Sequence, residues 1–361
     1  MYEQKYQEWL SFKGLDTELL EELKKMNEIE KEEAFYKDLA FGTGGMRGIL
    51  GAGINRMNKY TIRKANYGFG KYLFEKFGKG VSRGVVIAHD NRNKSVEFAK
   101  ESASVLASFG IKTYLFDKLR PTPELSFAVR ELNAIGGIVV TASHNPPKYN
   151  GYKIYDEEGC QLVPAYADKV IELVESVEDV FQIEYIPYEE LLENGMSVVI
   201  GREMDELYLN AVDSVQLRKN EDKNIKIVFT PLHGTSAILG LEALTRNGYK
   251  VTPVEEQMVP DPNFSTVASP NPENKEAFEG ELFHSLNWNH QYDLKNKKVA
   301  VIGKIGSGKT TLLKLILGLY QPTNGSTLID GANIQQIRPD DIRRQFGVVM
   351  QNTYLFSGSI R

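Results

Sequence analysis

The sequence predicts an α/β fold in three parts. These are a layered sheet with flanking helices, a second and partial α/β region, and a partial P-loop NTPase α/β unit near the carboxyl end. Three observations lead there. GVVIAHD (84–90), SVEFAKESASVLASFG (95–110) and KTYLFD (112–117) run strand, amphipathic helix, strand, the repeating unit of a layered sheet. KIVFTPLHGTS (226–236), a helical stretch at 237–247 and KVTPVEE (250–256) repeat that rhythm. VIGKIGSGKTTLLK (301–314) satisfies G-x-x-x-x-G-K-[ST] from Gly303 to Thr310.

Residues 3–40, rich in Glu, Lys and Leu, read as two helices broken near Gly14–Asp16. FGTGGMRGILGAGINRMN (41–58) is too glycine-dense for a regular element. TIRKANYGFGKYLFEKFG (61–78) returns to helical spacing, and a helix at 123–132 precedes the strand GGIVVTAS (136–143). The stretch 260–280 is a loop rich in Pro, Asn and Ser. KKVAVIG (297–303) then reads as a buried strand and TLLKLILGLY (311–320) as the helix after it. The expected domains are 1–197, a partial domain 198–279, a junction 280–293 and a partial nucleotide-binding unit 294–361.

The 361 residues are enough for two or three cores. A net charge of −5 argues against a dedicated nucleic-acid binder, which needs a dense basic surface. A single cysteine, Cys160, excludes an internal disulfide framework and fits a reducing, cytoplasmic setting. The polar start MYEQKYQEWLSFKGLD has no signal-peptide pattern, and no apolar run is long enough to span a bilayer.

The densest chemical signal is TASHNPPKYNGYKIYDEEG (141–159). It follows an apolar strand, so Ser143 is expected at the carboxyl end of a sheet strand, where α/β folds place reactive groups. The Asn-Pro-Pro turn and the pair Asn150–Gly151 would hold the loop open and pre-formed. A serine so placed can carry a phosphoryl group, which brings roughly −1.5 to −2 charges and needs cationic donors around it.

This wording, with FGTGGMRG (41–48), FTPLHGTS (229–236) and DPNFSTVASPNP (261–272) in order, resembles the α-D-phosphohexomutase family in its bacterial phosphoglucomutase/phosphomannomutase branch. The resemblance runs from residue 1 to about residue 279 and implies a mixed sheet in the first domain. It implies that Ser143 is the phosphoserine, that Arg47 faces it, that His144 lies beside it, and that Lys153 serves proton transfer. It also implies hexose 1-phosphate and 6-phosphate as substrates, glucose 1,6-bisphosphate as activator, and Mg²⁺ bridging the phosphoserine to three aspartates. The sequence departs from the family there, because no D-x-D-x-D occurs in it. The sugar-selecting and carboxyl-terminal phosphate loops are also missing.

Around the P-loop, backbone N–H groups from Gly306, Ser307, Gly308 and Lys309 would surround phosphates at a helix amino terminus. Lys309 would reach the β- and γ-phosphates, Thr310 would ligate Mg²⁺, and Thr311 would contact the α-phosphate. From GKIGSGKTTLLK through DDIRRQFGVVMQ to LFSGSIR, the segment resembles the front portion of an ABC-transporter nucleotide-binding domain of the exporter kind. That resemblance implies ATP as ligand, Gln351 as the Q-loop glutamine that touches Mg²⁺, and a transporter membrane domain as partner. The expected function is a phosphohexomutase-type intramolecular phosphotransferase, truncated and fused, without full activity. An ATP-binding fragment of a transporter ATPase and a non-catalytic chimeric chain are the alternatives.

Overall fold

The computed structural model describes residues 2–42, 45–217, 219, 222–271, 315–320, 326–329 and 332–344. The chain divides into two compact units, Met1–His284 and Ser285–Arg361. The P-loop residues 303–311 and Gln351 lie outside the described residues.

The first unit is organised by one seven-stranded mixed sheet, as the resemblance implies. Its strands are β1 (Phe41–Gly42), β2 (Gly45–Ile49), β3 (Val85–His89), β4 (Thr113–Phe116), β5 (Gly136–Val140), β6 (Tyr149–Tyr155) and β7 (Ser197–Ile200). The spatial order is β1-β2-β6-β5-β3-β4-β7. The neighbours β5, β3, β4 and β7 run parallel, while β6 is antiparallel to both β5 and β2.

The apolar runs VVIAH and GGIVV need cover on both faces, and their alternation supplies it. Val85 and Ile87 join one core with Ile62 and Phe69 of α4 (Lys59–Phe77) and Leu106 of α5 (Ser95–Ser108). Val86 and Ala88 point the other way, onto Leu125 and Val129 of α6 (Thr122–Glu131). Asn58 starts α4 with a capping box, accepting from the Thr61 N–H while the Thr61 hydroxyl accepts from the Asn58 N–H.

Several expected boundaries shift. Residues 3–40 form three helices, not two, at Tyr2–Ser11, Thr17–Lys25 and Glu28–Phe35. The break at Met26–Asn27 comes from an Asn27–Glu30 capping box that starts a new helix. Trp9, Phe35 and Tyr60 then pack edge to face under this layer. The glycine-dense stretch contains β1 and β2, because pairing with β6 overrides weak local propensity. The stretch 141–159 is not all loop either, since β6 occupies its middle. Edge strand β7 carries the first sheet to Ile200, three residues past the expected boundary at 197.

The second region begins with a helix, Arg202–Ser214, and continues as a parallel pair, Lys226–Phe229 with Lys250–Pro253, joined through a helix, Ala237–Arg246. Arg202 holds Glu242 through two bonds of 2.7 Å, tying the two helices together. In the second unit the described residues include a two-stranded hairpin, Leu328–Ile329 with Ala332–Asn333, and a short helix, Pro339–Arg344.

A buried ion cluster joins the first sheet to helix 202–214. Arg120 donates to both oxygens of Asp205 (2.6 and 3.0 Å) and to Asp117 (3.1 Å). Glu124 is fully buried 3.8 Å from the Arg120 guanidinium, and neither of its oxygens has a hydrogen-bond partner. Burial first, and the neighbouring Asp205 carboxylate second, push its pKa from an ordinary 4.5 up to about 8. The folded chain therefore binds this proton more tightly than the unfolded chain, and stability drains away as pH rises from 4.5 through about 8. Glu124→Gln is expected to flatten the fall in thermal midpoint between about pH 5 and about pH 9 and to leave acidic stability nearly unchanged. Parallel melting curves for the two chains across that range would show that Glu124 is not the group responsible.

Candidate active site

The carboxyl ends of the two central strands, β3 and β5, meet at one edge of the first sheet, and their extensions form the site. After Val140 the chain turns through Thr141–Asn145 before re-entering the sheet as β6. The Thr141 hydroxyl accepts from the Ser143 N–H (3.0 Å) and Asn145 N–H donates to the Ala142 carbonyl (3.1 Å), a compact local turn. Ser143 sits in the left-handed region with φ +56°. Such a conformation costs on the order of 1–3 kcal/mol and lifts an exposed side chain off the strand end.

Six non-glycine residues have positive φ among the described residues: Lys94, Asn133, Ser143, Leu232, His233 and Phe264. The last four lie in or beside one cavity of about 380 Å³, which also takes in Asp90, Asn91 and His144. Backbone strain of this kind persists only where surroundings over-determine it, and it gathers at functional sites. A larger cleft of about 860 Å³ lies beside α4 and α5, lined largely by charges. Its two lysines are already paired, Lys59 with Asp16 and Lys94 with Glu18, and the other charged side chains of its lining, Glu22, Glu97 and Glu101, are acidic, so it is poorly suited to a phosphorylated ligand.

Three of the four residues read from the sequence meet directly at the turn. Ser143 Oγ lies 3.2 Å from His144 Nδ1, and both side chains are exposed. With Nδ1 unprotonated, the hydroxyl donates to it. Arg47 projects from β2 directly opposite Gly151 and donates from Nη1 to Asn145 Oδ1 at 2.7 Å. Lys153 lies on β6 two residues after Gly151, on the same face as Arg47 and diagonal to it, so its link to the turn runs through that strand pair. Burial first, and the Arg47 charge second, lower its pKa from the usual lysine value.

Two glycines permit this crowding. A Cβ on Gly151 would lie 2.5 Å from the Thr141 carbonyl oxygen, and one on Gly45, at φ +94°, would collide with the Tyr152 carbonyl oxygen. Asn150, expected to help hold the loop open, is a strand residue. It is buried in β6, donating to the Asn93 carbonyl (2.9 Å) and the Ser95 hydroxyl (3.0 Å) at the start of α5.

Sequence reasoning missed Arg92. Its guanidinium is completely buried and donates to the carbonyls of Ser143, Asn145, Pro146 and Tyr149. The signal was available in HDNR (89–92), a charged run at the end of an otherwise apolar central strand. His233 is a well-satisfied loop histidine, bridging the Val259 carbonyl (2.8 Å) and the Thr266 hydroxyl (2.7 Å). Among the described residues no group of three or more His, Cys, Asp or Glu side chains is arranged to hold a metal ion. The described residues around Ser143 thus offer no such set for a Mg²⁺, and no step is routed through one. No described helix is long and apolar enough to cross a membrane.

Comparison with known proteins bears on the fold and the family. Residues 38–180 match the model for phosphoglucomutase/phosphomannomutase alpha/beta/alpha domain I, and residues 206–294 match that for domain II. Residues 289–360 match an ABC transporter model. A phosphoglucomutase of Staphylococcus saprophyticus is 40% identical over 252 residues, covering 70% of this chain and 45% of that protein. A phosphoglucomutase of Staphylococcus aureus is 40% identical over 256 residues with the same coverage. The chain thus spans about half the length of the curated relatives it matches. Among solved structures, a proposed phosphomannomutase from Thermus thermophilus is 29% identical, with a TM-score of 0.53, covering 66% of this chain and 49% of that one. With both domain patterns in order over residues 38–294, and the serine turn inside the first of them, this part of the chain belongs to the phosphoglucomutase/phosphomannomutase family.

Proposed function

We propose that Ser143 is a phosphoryl carrier in a phosphohexomutase-type phosphotransferase that acts on hexose phosphates. The observation that carries this reading is the Ser143 hydroxyl itself. It is exposed on a left-handed turn at the end of a buried strand, 3.2 Å from His144 Nδ1, in a turn held by Arg47.

In the proposed step, a new bond forms between Ser143 Oγ and phosphorus while the bond from phosphorus to the sugar oxygen breaks. The serine proton passes to His144 Nδ1 and on to the departing sugar oxygen, so protons balance. The phosphoserine then carries roughly −1.5 to −2 charges. Arg47 and Lys153, on one face of β2 and β6, supply the cations that favour it. Reversal of the step onto a different hydroxyl of the sugar would interconvert hexose 1-phosphate and 6-phosphate. Glucose 1,6-bisphosphate is the natural first donor in this scheme, and a cytoplasmic setting fits such substrates.

Incubation with glucose 1,6-bisphosphate should leave the chain heavier by one phosphoryl group in intact-mass analysis, with the modification mapped to Ser143. Ser143→Ala should abolish it. Phosphate on another residue, or an unchanged mass in the native chain, would defeat this reading.

A second reading concerns the carboxyl-terminal segment and is favoured by its match at residues 289–360 together with the motif Gly303–Thr310. We propose that Gly303, Gly306, Ser307, Gly308, Lys309, Thr310 and Thr311 bind ATP, with Gln351 and Thr310 reaching its magnesium ion. A charge-assisted bond is worth about 1.5–3 kcal/mol, so Lys309→Ala should weaken nucleotide binding about ten- to a hundredfold. Fluorescence titration with a labelled ATP measures it, and equal affinities for the two chains would remove ATP from the account.

A further inference from the structure

The sequence of the serine turn creates a problem that its own backbone does not solve. Pro146 and Pro147 have no N–H to donate, and within NPPKY the backbone closes a single turn, from the Tyr149 N–H to the Pro146 carbonyl (3.0 Å). The carbonyls of Ser143, Asn145, Pro146 and Tyr149 are instead turned toward a single point, and such groups need donors when buried. That point is the Arg92 guanidinium. Nη2 donates to Ser143 O (2.9 Å) and Asn145 O (2.5 Å), and Nη1 donates to Pro146 O (2.9 Å) and Tyr149 O (3.0 Å). The remaining Nε lies 3.3 Å from Asp90 Oδ2, an ion-pair contact without hydrogen-bond geometry. A planar fork with five donors can serve this many acceptors at once, whereas an ammonium group has three.

Arg92 is covered from the second region of the same unit. The Phe264 ring, only 5% exposed, has its centroid 5.1 Å from the Arg92 Cζ atom. The neighbouring Asn91 side chain donates to the Asp261 carbonyl at 2.8 Å. The covering loop is itself stiffened, because Asp261 accepts from the N–H groups of Asn263 (2.8 Å) and Ser265 (2.7 Å). The bridge from His233 to Thr266 fastens its far end.

We propose that Arg92 is a positioning residue that holds Ser143 in its left-handed, exposed conformation, and that loop 261–266 keeps Arg92 in register through Phe264 and Asn91. The second region thereby acts on the nucleophile without touching it. The chemical part of this proposal rests on the reading of Ser143 as a phosphoryl acceptor; the positional part does not.

Two measurements on the full chain separate them. Amide hydrogen exchange without any sugar reads the turn, and the rate of Ser143 phosphorylation by glucose 1,6-bisphosphate reads the chemistry. Arg92→Lys keeps the charge but loses the fork. It should speed exchange at residues 143–149 about tenfold while β3 and β5 stay protected. It should also slow phosphorylation about a hundredfold, as a misplacement near 1 Å does. The double variant Asn91→Ala/Phe264→Ala leaves the fork intact and should shift both readouts in the same direction by a smaller factor.

Native-like exchange and phosphorylation in Arg92→Lys would overturn the proposal. Exchange rising equally through β3 and β5 would overturn it too, by assigning Arg92 a general structural role. An unaffected double variant would overturn the part assigned to loop 261–266. If the native chain takes no phosphate while Arg92→Lys still loosens residues 143–149 alone, the clamp stands and the reading of Ser143 fails.

Discussion

A chain that leaves a buried strand and doubles back within nine residues must find partners for the carbonyls it turns inward. Between Val140 and Tyr149 that requirement falls largely on one guanidinium, and much of the site depends on how it is met. Arg92 can reach those carbonyls because it stands just past the carboxyl end of β3, adjacent to β5 in the sheet. The parallel β3–β5 pair places both strand ends at the same edge, and the antiparallel return of β6 brings Asn150 and Gly151 back beneath the turn. Gly151 must lack a side chain there, and the buried amide of Asn150 fastens β6 to the head of α5. The exposed serine thus stands on a framework whose other polar groups are mostly paired inward.

The sequence made the central strands and their helices readable because they obey simple periods. VVIAH and GGIVV are short apolar runs bounded by polar residues, and the helix 95–108 carries a clear apolar face. Less was readable where long-range pairing decides the outcome. FGTGGMRG looks irregular residue by residue, yet β2 forms because β6 lies alongside it. Ser143, His144 and Arg47 were legible as a group through the wording of their motifs. Their closeness depends on residues nearly a hundred positions apart, as the Arg47–Asn145 bond shows. Arg92 was not legible, since a charged residue after a strand ordinarily reads as solvated surface. The charged run HDNR marks the strand end as unusual, but the burial of Arg92 among carbonyls emerges from the fold.

The second region contributes by contact more than by side-chain chemistry. Helix 202–214 is anchored to the first sheet through the buried Arg120–Asp205 pair, and on its other side Arg202 grips Glu242. Loop 261–266 then reaches the base of the serine turn. These contacts place strained residues from both regions around one cavity. The carboxyl-terminal P-loop has its own well-formed sequence pattern, and the serine chemistry described for the first unit does not draw on it.

A crystal structure of the full chain after exposure to glucose 1,6-bisphosphate tests the central claim most directly. The account predicts a phosphoryl group on Ser143 Oγ, Ser143 still at positive φ, and Arg92 still spanning the four carbonyls. A phosphoryl group on Ser143 with Arg92 turned away, or a turn that keeps its shape with no phosphate on Ser143, would contradict it.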